Sequence, residues 1–220
     1  MDGFYWLVSL LIIVTAIGAY VRSWYYRPSG MPEILTASYS YQTLEYMDFY
    51  ARHENENSVE YKIYMYHITS YMKSRQLRWR QRNDIIRYMV RMGWVYEIKQ
   101  EIARSYAINR AGKHELETAD GLGRAVNEAA QALYDEGISG DQAKATAAAV
   151  VAAALRVHAH SASSENRRRE EASANEIEEA ARTRDSERID RTITRTKDIL
   201  QIITSIAPAI REILRVFGWL

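Results

Sequence analysis

The chain has 220 residues, no cysteine and a formal net charge of +1. Its length suits one or two small domains, and the lack of cysteine excludes disulfides and thiolate metal sites. The near-neutral total hides a division: residues 22–114 carry fifteen Lys/Arg against nine Asp/Glu, residues 115–220 fourteen against eighteen, and fifteen of the sixteen tyrosines precede residue 107.

At the N-terminus, eighteen uncharged residues, 4–21, lie between Asp2 and Arg22. As a helix they would be about 27 Å long, close to the hydrocarbon thickness of a bilayer. Phe4, Tyr5 and Trp6 at one end, and Tyr20, Trp24, Tyr25 and Tyr26 at the other, fit interfacial belts. A cleaved signal peptide is the rival reading, but only Asp2 precedes the run and no A-x-A site follows it. The pattern predicts a transmembrane anchor over residues 1–27. Arg22 and Arg27 then predict a single-pass membrane protein with its C-terminal bulk in the cytoplasm.

Residues 27–32 read as a linker holding two of the three prolines. Residues 38–52 read as a helix with Leu44, Met47 and Tyr50 or Ala51 on one side. Residues 55–58 break it. A second helix runs to about Lys73, with Tyr61, Met65, Ile68 and Met72 at 4-3-4 spacing. Residues 81–92 form a third, whose apolar side is Ile85, Ile86, Met89 and Val90, and Gly93 ends it. The period then falls to two: Trp94, Tyr96 and Ile98, and again Arg104, Tyr106 and Ile108, alternate with their neighbours. That is a β-hairpin joined near Gln100-Glu101.

The third helix, its ending Met92-Gly93-Trp94-Val95-Tyr96, and the close Tyr106-Ala107-Ile108-Asn109-Arg110-Ala111-Gly112 together resemble a winged-helix domain. Such regulators often end the recognition helix in a glycine, a hydrophobic residue and Val, and leave the second wing strand through Tyr-x-(Ile/Leu)-(Thr/Asn)-x-x-Gly. The turn at residues 75–80 departs from the family in being more basic and lacking Gly. The resemblance covers about a third of the chain, within residues 28–114. It implies a third helix that enters the major groove and a hairpin that touches the flanking backbone.

Lys73, Arg75, Arg78, Arg80, Arg82, Arg87 and Arg91 fall within nineteen residues, opposed only by Asp84. With Ile86 and Met89 turned inward, Arg80, Asn83, Arg87 and Arg91 take the outer face of the third helix. Arg and Asn suit phosphates and base edges. Arg78, Arg80, Arg82, Asn83, Arg87 and Arg91 are therefore the candidate contacts to double-stranded DNA. A protein partner, or anionic lipid, would also suit a basic face.

Catalytic and cofactor signals are weak, and no cofactor or metal is implied. The five histidines are scattered, and His158 and His160, two apart, would diverge on a helix. Gly121-Leu122-Gly123 lacks the third glycine and the preceding strand of a phosphate loop.

Beyond residue 115 the chain reads as all-helical. Residues 124–136 and 141–160 suggest an Ala-rich hairpin within 115–160. Residues 161–192 read as a charged helical spacer, with fifteen charges in the thirty residues 161–190. Residues 193–220 are an amphipathic helix. There Ile199, Ile203, Ile206, Ile210, Ile213, Phe217 and Leu220 repeat at 4-3-4-3-4-3. That stripe fits self-association into a homo-oligomer as a coiled coil, packing on the chain's own hairpin, or an in-plane membrane helix.

The fold class expected is thus mainly α: a transmembrane anchor, a small α+β winged-helix domain and a C-terminal helical region. The function expected is a non-enzymatic, membrane-tethered DNA-binding protein. The alternative is a membrane-anchored scaffold whose winged helix binds protein and whose last helix drives oligomerisation.

Overall fold

The computed structural model describes residues 14–16, 27–54, 62–98, 104–135, 140–200 and 208–219. These are mainly helical, with one small three-stranded antiparallel sheet. In chain order the elements are α1 (Glu33–Glu54), β1 (Lys62–Tyr64), α2 (Met65–Ser74), α3 (Trp79–Arg91), β2 (Val95–Ile98) and β3 (Ser105–Ile108). They continue with α4 (Arg110–Thr118), α5 (Asp120–Asp135), α6 (Gly140–Ser161), α7 (Ser164–Thr183), α8 (Ser186–Arg195) and α9 (Pro208–Val216).

The sheet order is β1-β3-β2. Ile63 pairs with Tyr106 and Glu97 pairs with Tyr106 from the other side, so β3 is central. Ile63, Tyr106 and Val95 point into the core. β1 was expected to be the start of the second helix. Three residues, Lys-Ile-Tyr, have little say of their own, and pairing with β3 decides their state.

Two helices carry the interior. α1 packs against α2, α3, α5 and α6, and is buried on every side from Ile34 to Leu44. Its small hydroxyls survive there by bonding back along the helix: Ser40 Oγ donates to the Thr36 carbonyl at 2.6 Å and Thr43 Oγ1 to that of Tyr39 at 2.7 Å. α6 is buried from Ala147 to Arg156, and its alanines let α7 approach closely. One continuous apolar core joins the α1 side to the α6 side. The charged stretch after residue 161 is helical, as expected, and α7 buries Ala174, Ile177, Ala180 and Ala181.

The expected anchor and single-pass membrane localisation need correction. Among the described residues no helix is long and apolar enough to cross a membrane. A span needs about twenty consecutive apolar residues. The two 22-residue helices fail that test: α1 interleaves Ser, Thr, Gln and Tyr, and α6 carries Asp141, Lys144 and Arg156. Of the expected anchor, residues 1–13 and 17–26 lie outside the described residues, and 14–16 are helical.

The stops after α3, α9 and α2 share one hydrogen-bond pattern, the first two built on glycine. Gly93 takes φ +68°, its N–H meets the Val90 carbonyl, and Trp94 N–H meets that of Met89 at 2.9 Å. Gly218 and Trp219 repeat this after α9, on Arg215 and Leu214. After α2 the same pattern forms without glycine. Gln76 takes φ +56°, Gln76 N–H meets Lys73, and Leu77 N–H meets Met72 at 3.1 Å. In each case the residue after the left-handed position, and the residue five positions earlier whose carbonyl accepts its N–H, are both buried: Leu77 and Met72, Trp94 and Met89, Trp219 and Leu214.

Candidate nucleic-acid interface

The turn after α2 delivers the chain directly into α3. Arg78 precedes the helix, and its backbone N–H donates to Gln81 Oε1 at 2.8 Å, half of a capping box. Ile85, Ile86, Tyr88 and Met89 are buried, which fixes the rotation of the helix. The opposite side then carries Arg80, Asp84, Arg87 and Arg91 at helical spacing.

The expected DNA contacts fall into three groups. Arg78 is exposed, and the Arg80 guanidinium sits 5.8 Å from the centroid of the Trp79 ring. Arg87 lies 3.5 Å from Asp84, and Arg91 lies 2.5 Å from Glu33 and 5.1 Å from the Tyr88 ring centroid. Arg82 and Asn83 differ. Arg82 stands three and four residues before Ile85 and Ile86, on the inward side, with its Nε buried. Asn83 Nδ2 is buried as well, and neither atom finds a hydrogen-bond partner among the described residues. Arg80, Arg87 and Arg91 are thus brought together on one face, and Arg82 is not.

The approach segment at residues 28–32, within the linker expected over 27–32, runs beside that face and leads into Glu33, the first residue of α1. Ser29 N–H donates to Asp84 Oδ2 at 2.8 Å, and the Gly30 carbonyl accepts from Arg184 Nη2 at 3.4 Å. The one trace of this in the sequence is Asp84 itself, the lone acid in the basic run.

The β2–β3 hairpin is held by Trp94. Its carbonyl accepts the Asn109 N–H at 3.0 Å, and Asn109 Oδ1 in turn accepts Gly112 N–H at 3.0 Å, capping α4. A Cβ on Gly112 would come 2.2 Å from the Trp94 carbonyl oxygen. The Asn-x-x-Gly spacing read from the sequence therefore has a local cause: a cap at one end and a close backbone approach at the other. Glu115, buried, accepts Gly121 and Leu122 N–H at 2.9 Å each and starts α5.

Behind the face lies a buried polar cluster. Arg156 Nε and Nη2 donate to the two oxygens of Glu178 at 2.9 and 2.8 Å, and Arg156 Nη2 also reaches Asn175 Oδ1 at 2.6 Å. Glu178 accepts from Ser38 Oγ and, at 2.9 Å, from Gln42 Nε2. Arg75 Nη1 joins at Asn175, 3.3 Å away, so the turn before α3 is tied to α7. Burial pushes the Arg156 guanidinium pKa down, but the charge and hydrogen bonds of Glu178 outweigh it and raise it above its ordinary value.

Both C-terminal histidines of α6 have packing partners. His158 Nδ1 lies 2.8 Å from Glu170, and His160 Nε2 lies 2.5 Å from the Glu117 carbonyl. Among the described residues no three His, Cys, Asp or Glu side chains are grouped to hold a metal.

The expected oligomerisation stripe is partly visible. Ile210 and Ile213 are buried, and Ile199 and Phe217 are half-buried, within the chain's own core. α9 packs on α5 and α6. Ile203 and Ile206 lie outside the described residues. No family model, curated protein or solved structure matches the chain.

Proposed function

We propose that residues 33–108 act as a winged-helix unit that binds duplex DNA through α3, in a protein without catalytic activity. The observation that carries this reading is the element order helix, strand, helix, helix, hairpin combined with the sheet order β1-β3-β2. That arrangement sets a basic helix beside a two-stranded wing, as groove-reading domains of this type do. Arg78, Arg80, Arg87 and Arg91 supply the positive charge. The first two sit at the N-terminal end of α3, the end that such helices turn towards base edges.

The test is a gel shift of the full chain on a short random-sequence duplex at low salt. A shift is expected, weakened by Arg80→Ala and Arg87→Ala with the melting temperature unchanged. A second reading, a scaffold that binds an acidic protein segment on α3, draws on the carboxylates of Asp84 and Glu33 already seated against Arg87 and Arg91. Failure to shift DNA would favour it.

A further inference from the structure

We infer that residues 28–32, with Glu33 at the start of α1, form an autoinhibitory strap along α3 whose Glu33 carboxylate competes with DNA phosphates for Arg91. This rests on the reading of α3 given above.

The strap touches α3 at two points seven residues apart, Asp84 through the Ser29 N–H and Arg91 through the Glu33 carboxylate. On a helix that is about 10 Å of the outer flank. It therefore runs alongside the face and does not merely touch its end. A third tie, from Arg184 to the Gly30 carbonyl, comes from the C-terminal end of α7, so the strap is held between two parts of the fold.

Its charges are arranged for competition. Glu33 offers a carboxylate oxygen to Arg91, which a duplex would engage with phosphate oxygens, and one guanidinium cannot serve both at full strength. The hold is also weak enough to be displaced. The Arg91 and Glu33 side chains are 64% and 73% exposed, and exposed pairs of that kind contribute little. Between strap and helix lies a cleft of about 480 Å³, lined by Pro28, Met31, Thr36 and Tyr88 besides the charged groups. A tightly packed strap would leave no such space. The strap thus lowers affinity until a duplex displaces Glu33 from Arg91.

The test is a double-mutant cycle on the full chain, read as dissociation constants for one duplex at one low salt concentration. The four proteins are the parent, Glu33→Gln, Arg91→Gln and the double variant. Glu33→Gln should tighten binding about two- to fivefold in the parent, the span that an exposed ion pair can supply. In the Arg91→Gln background the same change should do nothing, because its competitor is gone. An equal gain in both backgrounds would mean that only long-range charge is at work, and would overturn the strap. No gain in either background would overturn it too. A parent that binds no duplex would instead overturn the reading on which the strap rests.

Discussion

Arg156 and Glu178 face each other through two parallel hydrogen bonds of 2.9 and 2.8 Å, their side chains 5% and 1% exposed. The pair joins α6 to α7, and Ser38 and Gln42 bring in α1. Removing one partner leaves a charge in the interior with nothing opposite it. Glu178→Leu should therefore lower stability by about 3–5 kcal/mol in urea denaturation. Arg156→Met together with Glu178→Leu should cost less than Glu178→Leu alone, because no charge is stranded. A double variant at least as unstable as the single one would show that the pair contributes through packing.

Two glycines separate close approach from mere helix position. A Cβ at Gly112 meets the Trp94 carbonyl oxygen at 2.2 Å, whereas at Gly123 the nearest atom is a Val157 methyl at 3.9 Å. Gly112→Ala should cost about 1–3 kcal/mol by overpacking. Gly123→Ala, inside α5, should add up to about 1 kcal/mol through helix propensity. Thermal melts of both variants check the contrast.

Asp190 clamps the C-terminal end. Its two oxygens accept from Lys144 Nζ at 2.6 Å and Trp219 Nε1 at 2.7 Å. Burial pushes its carboxyl up, but these two bonds outweigh that and hold it below the ordinary 3.8. A folded value below the unfolded one means that the contribution is present above about pH 4 and is lost as pH falls through the folded value. The stability gap between the parent and Asp190→Asn, up to about 1 kcal/mol at neutral pH for a half-exposed side chain, should narrow as pH falls below about 4. Denaturation at both ends of that range measures it. A gap that does not shrink at all between neutral pH and about pH 3 would mean that the carboxylate charge is not its source.

Ile213 is 3% exposed on a helix that packs against α5 and α6. Ile213→Asp should destabilise the chain itself by several kcal/mol, since it buries a charge without a partner. The same change would leave the monomer's stability intact if the stripe served only subunit contacts, so urea denaturation across a range of protein concentrations tells the two apart.

The parts of the fold that were legible in the sequence are those whose cause is local. The α3 stripe of Ile85, Ile86 and Met89, the stop at Gly93, and the alternation through Tyr96 and Tyr106 each follow from a few neighbouring residues. β1 was hidden because Met65, Ile68 and Met72 keep helical spacing, while only a distant strand makes Lys62–Tyr64 extended. The burial of Glu170 and Glu178 was hidden too, because their partners His158 and Arg156 lie on the preceding helix. The spacing of Ile210 and Ile213 marked an apolar face without saying what covers it. For the candidate interface, arginine positions were legible. Arg82, expected among the DNA contacts, instead turns inward, because it stands three and four residues before Ile85 and Ile86. The Glu33 carboxylate opposite Arg91 depended on how the N-terminal segment folds back.

The most direct test of DNA recognition by α3 is the salt dependence of duplex binding. With four or five phosphate contacts from Arg78, Arg80, Arg87, Arg91 and Lys73, log K should fall against log salt with a slope of about −4. Arg87→Ala should make that slope shallower by about one. Binding absent at low salt, or a slope that the arginine substitutions leave unchanged, would contradict the account.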